Sequence, residues 1–182
     1  HGQSTWNAEN RFTGWVDVGL SEKGMEEAKK SGKLLKELNI NFDMFFTSYL
    51  KRAIITLEVV LEVLGKNNNY TKAWELNERH YGALTGLNKA DTKKKLGEEQ
   101  FKKYRRSWDI PPPSLSKDSR YSSHNDPLYK GLKNIPNTES LKDTYDRVVP
   151  YFEKHLEKHI KENKNVIPVS YTHLTLPTNT PV

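Results

Sequence analysis

Cysteine is missing from all 182 residues, which excludes disulfide crosslinks and thiolate chemistry and suits a reducing cytosol. Long hydrophobic runs are missing as well. None approaches the ~20 residues that a bilayer-spanning helix requires, and no signal-peptide pattern opens the chain. The histidines show no metal-ligand spacing, and there is no glycine-rich nucleotide loop. Internal repeats and low-complexity tracts are also absent.

What is there suits one soluble domain with a sizeable core: 35% of residues are hydrophobic and 29% charged. The formal charge is +6, from 29 Lys plus Arg against 23 Asp plus Glu. A basic balance favours nucleic acid, an anionic membrane surface or an anionic metabolite. The cations are spread over several segments, with clumps at Lys93-Lys94-Lys95 and at Lys102-Lys103 with Arg105-Arg106. No nucleic-acid module accompanies them. A small phosphorylated anion is therefore the expected partner, with neither nucleic acid nor membrane.

Helix and strand signals alternate along the chain. Residues His1 to Gly19 hold no clean period and read as an extended functional loop. Ser21 is placed to cap a helix carrying Met25, Ala28, Leu35 and Leu38 at helical spacing. Phe42 to Thr47 reads as a buried strand. Ser48 then caps a helix faced by Ala53, Leu57, Val60, Leu61 and Leu64, with Gly65 as its stop. Trp74 to Leu84 starts strand-like and passes into a polar loop. Short helices follow near Lys89 to Leu96 and Glu98 to Trp108, ended by Pro111-Pro112-Pro113. The polar stretch Ser114 to Asn137 has the length of a lid, a binding segment or disorder. A long helix from Thr138 shows Leu141, Tyr145, Val148, Val149, Phe152 and Leu156 on one face, and Val166-Ile167 begins another strand. The expected fold is α/β, three layers α/β/α around a mostly parallel sheet. Pro168 is expected to break the last strand, and no Asp, Glu, Lys or Arg follows Lys164. Residues 168–182 accordingly read as a non-native tail beyond a domain at 1–167.

Three constellations could carry chemistry. In His1-Gly2-Gln3-Ser4-Thr5-Trp6-Asn7, an imidazole beside a glycine can meet a phosphate, and imidazole is a competent nucleophile near neutral pH. Ser4 and Asn7 could bond phosphate oxygens, whereas the bland reading is a terminal loop histidine. Arg52, just after a strand and at a helix start, could grip a phosphate with two N–H groups, or be a solvated helix-start arginine. In Asn77-Glu78-Arg79-His80-Tyr81-Gly82, Glu78 could serve as general acid and base, and Arg79 and Tyr81 could bind an anion; a surface turn is the alternative. Lys89, Arg105 and Arg106 read first as solvated helix faces.

Together these pieces resemble the cofactor-dependent phosphoglycerate mutases of the histidine phosphatase superfamily. HGQSTWNAENRFTGWVDVGLSEKG resembles that family's opening block, and TSYLKRAIITL, WELNERHYGALTGLNKAD, FKKYRRSWDIPPP and NTESLKDTYDRVVPYF resemble its later ones, in order. The resemblance runs from His1 to about Ile167. It implies a phosphoglycerate mutase-like fold and interconversion of 2-phosphoglycerate and 3-phosphoglycerate in glycolysis and gluconeogenesis, in the cytoplasm. It implies a phosphohistidine on His1, priming by 2,3-bisphosphoglycerate, no metal, and a homodimer or homotetramer. Arg52 would help bind the phosphoryl group, with Ser4 and Asn7 nearby. Glu78 would carry the proton at the substrate hydroxyl. Thr13, Gly14, Arg79, Tyr81, Lys89, Arg105 and Arg106 would hold the phosphoglycerate.

The sequence also departs from that family. No arginine at the end of a first strand precedes His1, and no Ala-His-Gly-Asn-Ser type motif follows Ile167. His173 lies out of register for that second histidine and receives no role. Ser170 to Thr178 resembles translated sequencing-adapter sequence. The expectation is thus a mutase fragment lacking both true termini, itself inactive. The competing readings are a phosphatase or bisphosphoglycerate synthase on the same scaffold, and a non-catalytic, truncated anion-binding pseudoenzyme.

Overall fold

A computed structural model describes residues 1–170; the tail from Tyr171 onward, His173 included, lies outside the described residues. Among the described residues three strands form a parallel sheet in the order β2-β1-β3: β1 (Met44–Thr47), β2 (Thr71–Lys72) and β3 (Val166–Val169). Successive strand residues point to opposite faces, and β1 uses this to build two cores. Phe45 joins Phe42, Leu57, Leu61 and Ile167 on one face. Met44 and Phe46 join Leu76, Val148 and Leu156 on the other. The first face is covered by α2 (Glu22–Glu37) and α3 (Lys51–Leu64), and the second by α6 (Leu141–His155). The α/β/α layering expected from the sequence is the observed one.

The local signals explain most helix ends. The Ser21 side chain accepts the amide N–H of Gly24 and caps α2, and Gly65 closes α3 in the left-handed conformation at φ 69°. α3 itself starts later than expected. Its N-cap is Leu50, and the Ser48 hydroxyl only accepts the Leu50 N–H. Gly97 separates α4 (Lys89–Leu96) from α5 (Glu98–Arg106), and α7 (Glu157–Lys161) follows α6.

Three expectations need correction. The strand-like start at Trp74 is a single 3-10 turn, Trp74–Leu76, directly after the two-residue β2. Pro168 does not end its strand: β3 runs through it to Val169, pairing Pro168 with Phe46. The Met44 N–H donates to the Asn165 carbonyl. In a parallel pair the bonding residues alternate, so Pro168 falls in the set facing away from β1, where a missing N–H is tolerated. The helix from Leu141 buries Val148 and Leu156 of the expected stripe and packs Phe152 on the same core, but not Tyr145. Thr144, Val148 and Leu156 are inside, while Tyr145 is 38% exposed and lies edge-on against Trp108.

The Ser114–Asn137 segment crosses the carboxyl end of the sheet with short 3-10 turns at Ser123–Asn125 and Pro127–Tyr129. It is anchored by Tyr129, which is buried, stacks on Trp15 at 5.1 Å and accepts the Asn77 side-chain amide at 2.9 Å. A third apolar cluster, Phe12, Leu84 and Phe101, ties α5 to the opening loop.

Candidate active site

The opening loop reaches the carboxyl edge of the sheet by packing glycine on glycine. A Cβ on Gly2 would lie 2.2 Å from the Gly24 carbonyl oxygen, and one on Gly24 would lie 2.1 Å from that of Gln3. Gly2 therefore serves a close backbone approach to α2, and this contact sets where His1 stands. The Ser21 N–H also donates to the Gln3 carbonyl, and the Gly2 N–H to the Thr56 hydroxyl.

Three predicted residues meet at one point. Arg52 Nε donates to His1 Nε2 at 3.3 Å, Arg52 Nη2 donates to Glu78 Oε2 at 2.7 Å, and His1 Nε2 lies 3.8 Å from that same oxygen. His1 Nδ1 is 2.7 Å from the Gly2 carbonyl, so it carries the proton and Nε2 keeps its lone pair towards Arg52. Arg52 is completely buried in the first turn of α3, and two more of its N–H groups donate to the carbonyls of Val16 and Gly14. Asp17 accepts the Lys51 N–H at 2.7 Å, fixing the opening loop to the positive end of α3.

The electrostatics of Glu78 follow from this geometry. Burial on its own would push the carboxyl up, but the opposing groups, the Arg52 guanidinium first among them, outweigh it and hold Glu78 down at about 2. Around it stands a cationic group. Burial and then the Glu78 charge push the Tyr81 phenol up, against Arg79, Arg105 and Arg106. Burial and Arg105 push Lys89 down, against Glu78. The packing agrees in part: the Arg79 guanidinium lies 5.3 Å over the Tyr81 ring, and Tyr81 packs on Phe12, over which Lys89 Nζ stands at 5.8 Å.

Other predicted residues are held by the frame. The Ser4 hydroxyl is buried and accepts the Asn7 N–H, capping the short helix α1 (Thr5–Ala8). The Asn7 side-chain oxygen accepts the buried Thr13 hydroxyl at 3.3 Å. Gly14 has φ +55° and lends its carbonyl to Arg52. Arg79 is buried, and its guanidinium donates to the carbonyls of Glu139, Tyr104 and Arg105, which secures the end of α5. Among the described residues no group of three or more His, Asp or Glu is placed to hold a metal ion.

His1 also borders a cavity of about 410 Å³ between α3 and α6, lined largely by apolar residues including Leu35, Val60, Val148, Phe152 and Ile167. Such a lining offers a phosphorylated anion nothing to replace its hydration.

The sequence profile of the histidine phosphatase superfamily (branch 1) matches residues 1–175. The chain belongs to this superfamily. Its relatives include the 2,3-bisphosphoglycerate-dependent phosphoglycerate mutase of Zymomonas mobilis, 53% identical over 169 residues, covering 92% of this chain and 73% of that protein. The enzyme of the same name from Pelagibacter ubique is 50% identical over 169 residues, covering 92% and 71%. Among solved structures, a phosphoglycerate mutase from Bacillus anthracis superposes with a TM-score of 0.69 at 22% identity, over 94% of this chain and 71% of that one. A mycobacterial glucosyl-3-phosphoglycerate phosphatase gives 0.66 at 21%, over 94% and 71%. These two likenesses establish the fold of the superfamily member.

Sequence reasoning missed several residues that shape the site. Trp15 donates its indole N–H to the Glu78 carbonyl at 2.6 Å. Glu139 and Arg147 form a buried ion pair behind the same loop, with an Nε to Oε1 distance of 2.5 Å. A tryptophan inside a polar loop was the one visible signal; the ion pair spans two segments and left none.

Proposed function

We propose that this protein is a 2,3-bisphosphoglycerate-dependent phosphoglycerate mutase, interconverting 2-phosphoglycerate and 3-phosphoglycerate through a phosphohistidine on His1. The observation that carries the reading is the convergence of His1 Nε2, Arg52 and Glu78 in a chain half identical to enzymes of that name. Priming by 2,3-bisphosphoglycerate, a cytoplasmic location and a homodimeric or homotetrameric state belong to the same proposal.

The residues present fit a multiply charged phosphorylated anion. Arg52 stands against His1, and Lys89, Arg105 and Arg106 add positive charge beside Tyr81 and Glu78; a pre-set cationic frame stabilises the charge of a transferring phosphoryl group. 2,3-Bisphosphoglycerate supplies the first phosphoryl group when bound. His1 Nε2 forms its bond to phosphorus as the bond to the substrate oxygen breaks, and that oxygen takes the proton carried by Glu78. In the return direction the substrate hydroxyl gives its proton to Glu78 while its oxygen takes the phosphoryl group from His1. Glu78 held low by Arg52 is a poor proton carrier. An anion that engages Arg52 weakens the Arg52–Glu78 pair, and the buried carboxyl then rises towards a useful range.

The test is to supply purified protein with 3-phosphoglycerate and a trace of 2,3-bisphosphoglycerate, following 2-phosphoglycerate and acid-labile phosphohistidine together. Formation of both supports the proposal and overturns the expectation of an inactive chain; absence of both from correctly folded protein sinks it and leaves the non-catalytic, anion-binding reading. Release of inorganic phosphate in place of isomerisation would select the phosphatase reading. Against that reading, the Ser114–Asn137 segment is docked through Tyr129 onto Trp15, which touches Glu78 directly, and a cover that excludes water favours transfer between substrates.

A further inference from the structure

We propose that Glu139 and Arg147 are positioning residues for Glu78: they fix its backbone so that only its carboxylate moves between Arg52 and a substrate oxygen. The inference rests on the mutase reading, in which Glu78 carries the proton. It concerns residues that touch neither His1 nor Arg52.

The bonds are directed at the main chain on both sides of Glu78. Arg147 Nη1 donates to the Glu75 carbonyl at 2.6 Å and Nη2 to the Glu78 carbonyl at 3.1 Å. Glu139 Oε2 accepts the His80 N–H at 2.8 Å, and the Glu139 N–H donates to the His80 carbonyl at 3.0 Å. The pair itself closes with Arg147 Nε and Nη2 on the two Glu139 oxygens, at 2.5 and 2.9 Å. Residues 75, 78 and 80 are thus tied to one side-chain unit, and Trp15 adds a second donor to the Glu78 carbonyl. The Glu78 carboxylate itself is left to other partners, Arg52 and His1.

Stability alone is a poor reason for such a unit. Desolvating two charges offsets most of their attraction, and well-packed apolar residues often serve as well. What the pair adds is directionality: charge-assisted bonds with fixed geometry, aimed at the loop carrying the proton-transfer group. Glu139 stands just before the Ser140 cap of α6, and Arg147 lies two turns into that helix. The capping box of Ser140 and Asp143 therefore also sets where Glu139 is presented. The reach of the unit extends to the cationic wall, because the Glu139 carbonyl accepts Arg79 Nε while Arg79 holds the end of α5.

The experiment compares two phosphoryl donors in the wild type, R147Q and E139Q. 3-Phosphoglycerate, with the bisphosphate primer, needs Glu78 to move a proton at an alkoxide-like oxygen. p-Nitrophenyl phosphate has a leaving group that departs without one. A displaced acid should cost about 100-fold in kcat for 3-phosphoglycerate, with KM within threefold and nitrophenolate release within threefold. Val148→Ala, in the core beside Arg147, is the control for lost stability and should reduce neither donor selectively. Equal losses with both donors, or no loss with either, would overturn the assignment. Wild-type protein inert towards both would instead remove the mutase reading, and this one with it.

Discussion

Arg52 Nη2 and Glu78 Oε2 stand 2.7 Å apart, so the cation of the phosphoryl site is paired with the group proposed to carry the proton. Either partner alone would be a buried charge without compensation, since Arg52 is fully buried and the Glu78 side chain is only 14% exposed. The pairing makes the titration of Glu78 a reporter on Arg52.

R52Q should therefore have two linked effects. Loss of the main charge that lowers Glu78 leaves burial dominant, so the carboxyl rises from about 2. In the native protein this depressed carboxyl contributes stability above its ordinary value near 4.5, and that contribution fades as pH falls towards 2. In R52Q, with burial dominant, the sign reverses: the carboxyl titrates above its ordinary value, so its contribution is full below 4.5 and is lost as pH rises. Turnover should fall about 100- to 1,000-fold, the usual consequence of removing one donor from a pre-set anion site. Carboxylate titration by NMR, read beside the mutase assay, checks both. An unmoved Glu78 would contradict the pairing.

His80 predicts a second acid-sensitive window, separate from the first. Burial, followed by the charges of Arg147 and His124, depresses it from 6.5 to about 4, and its Nδ1 accepts the Gly82 N–H at 3.0 Å. Above pH 6.5 the imidazole is neutral folded or unfolded, and its contribution is fully present. Between 6.5 and 4 the unfolded chain binds a proton that the folded one refuses, so stability declines as pH falls, by about 3 kcal/mol at most. H80N keeps an acceptor for Gly82 and removes the titration. Urea melts at pH 7 and pH 4.5 should show a smaller acid loss in H80N, and equal losses would clear His80 of the effect.

Local chemistry made the frame legible and left the close contacts hidden. Ser21, Gly65 and Gly97 mark helix ends by their own conformational preferences, and the alternation around Phe45 and Phe46 announces a strand buried on both faces. Arg52 and Glu78 are joined in the sequence only through the resemblance, since read alone each leaves a solvated arginine or a surface turn open. Gly2 showed no sign of its contact with Gly24, because van der Waals approach between distant segments leaves no periodic trace. Glu139 and Arg147 looked like ordinary charges on a helix, since only the fold brings the Glu75–His80 loop beneath them. Pro168 misled for a related reason: whether proline breaks a strand depends on which way its nitrogen faces, and that is set by the neighbouring strand.

Tyr129 offers a direct probe of how the Ser114–Asn137 segment is held. Its hydroxyl is the acceptor for Asn77 Nδ2, and Asn77 is fully buried with its side-chain oxygen on the Tyr49 N–H. Y129F leaves that amide hydrogen without its partner and should cost about 1–3 kcal/mol. The ring stacking on Trp15 survives the change, so the segment should stay docked. Thermal unfolding measures the loss, and protease cleavage within 114–137 should accelerate no more than global stability dictates. Cleavage far faster than that would show the hydroxyl, not the ring, to be the anchor.

Gly32 tests the packing that supports the site from behind. A Cβ there would lie 2.9 Å from the Val63 Cβ, where α2 crosses α3, the helix that carries Arg52. G32A alone should destabilise by about 1–3 kcal/mol through overpacking, despite the better helix propensity of alanine. V63A alone removes partly buried methyl groups and should destabilise as well. The two together should not add, because V63A removes the two γ-methyls that would stand 3.2 Å from the new Cβ and lets the remaining Cβ contact relax. A coupling of at least about 0.5 kcal/mol in the double-mutant cycle is the expected signature of direct contact. Strict additivity would mean that α2 and α3 do not meet at this point. The register that brings Gly24 under Gly2, and so His1 to Arg52, would then need another explanation.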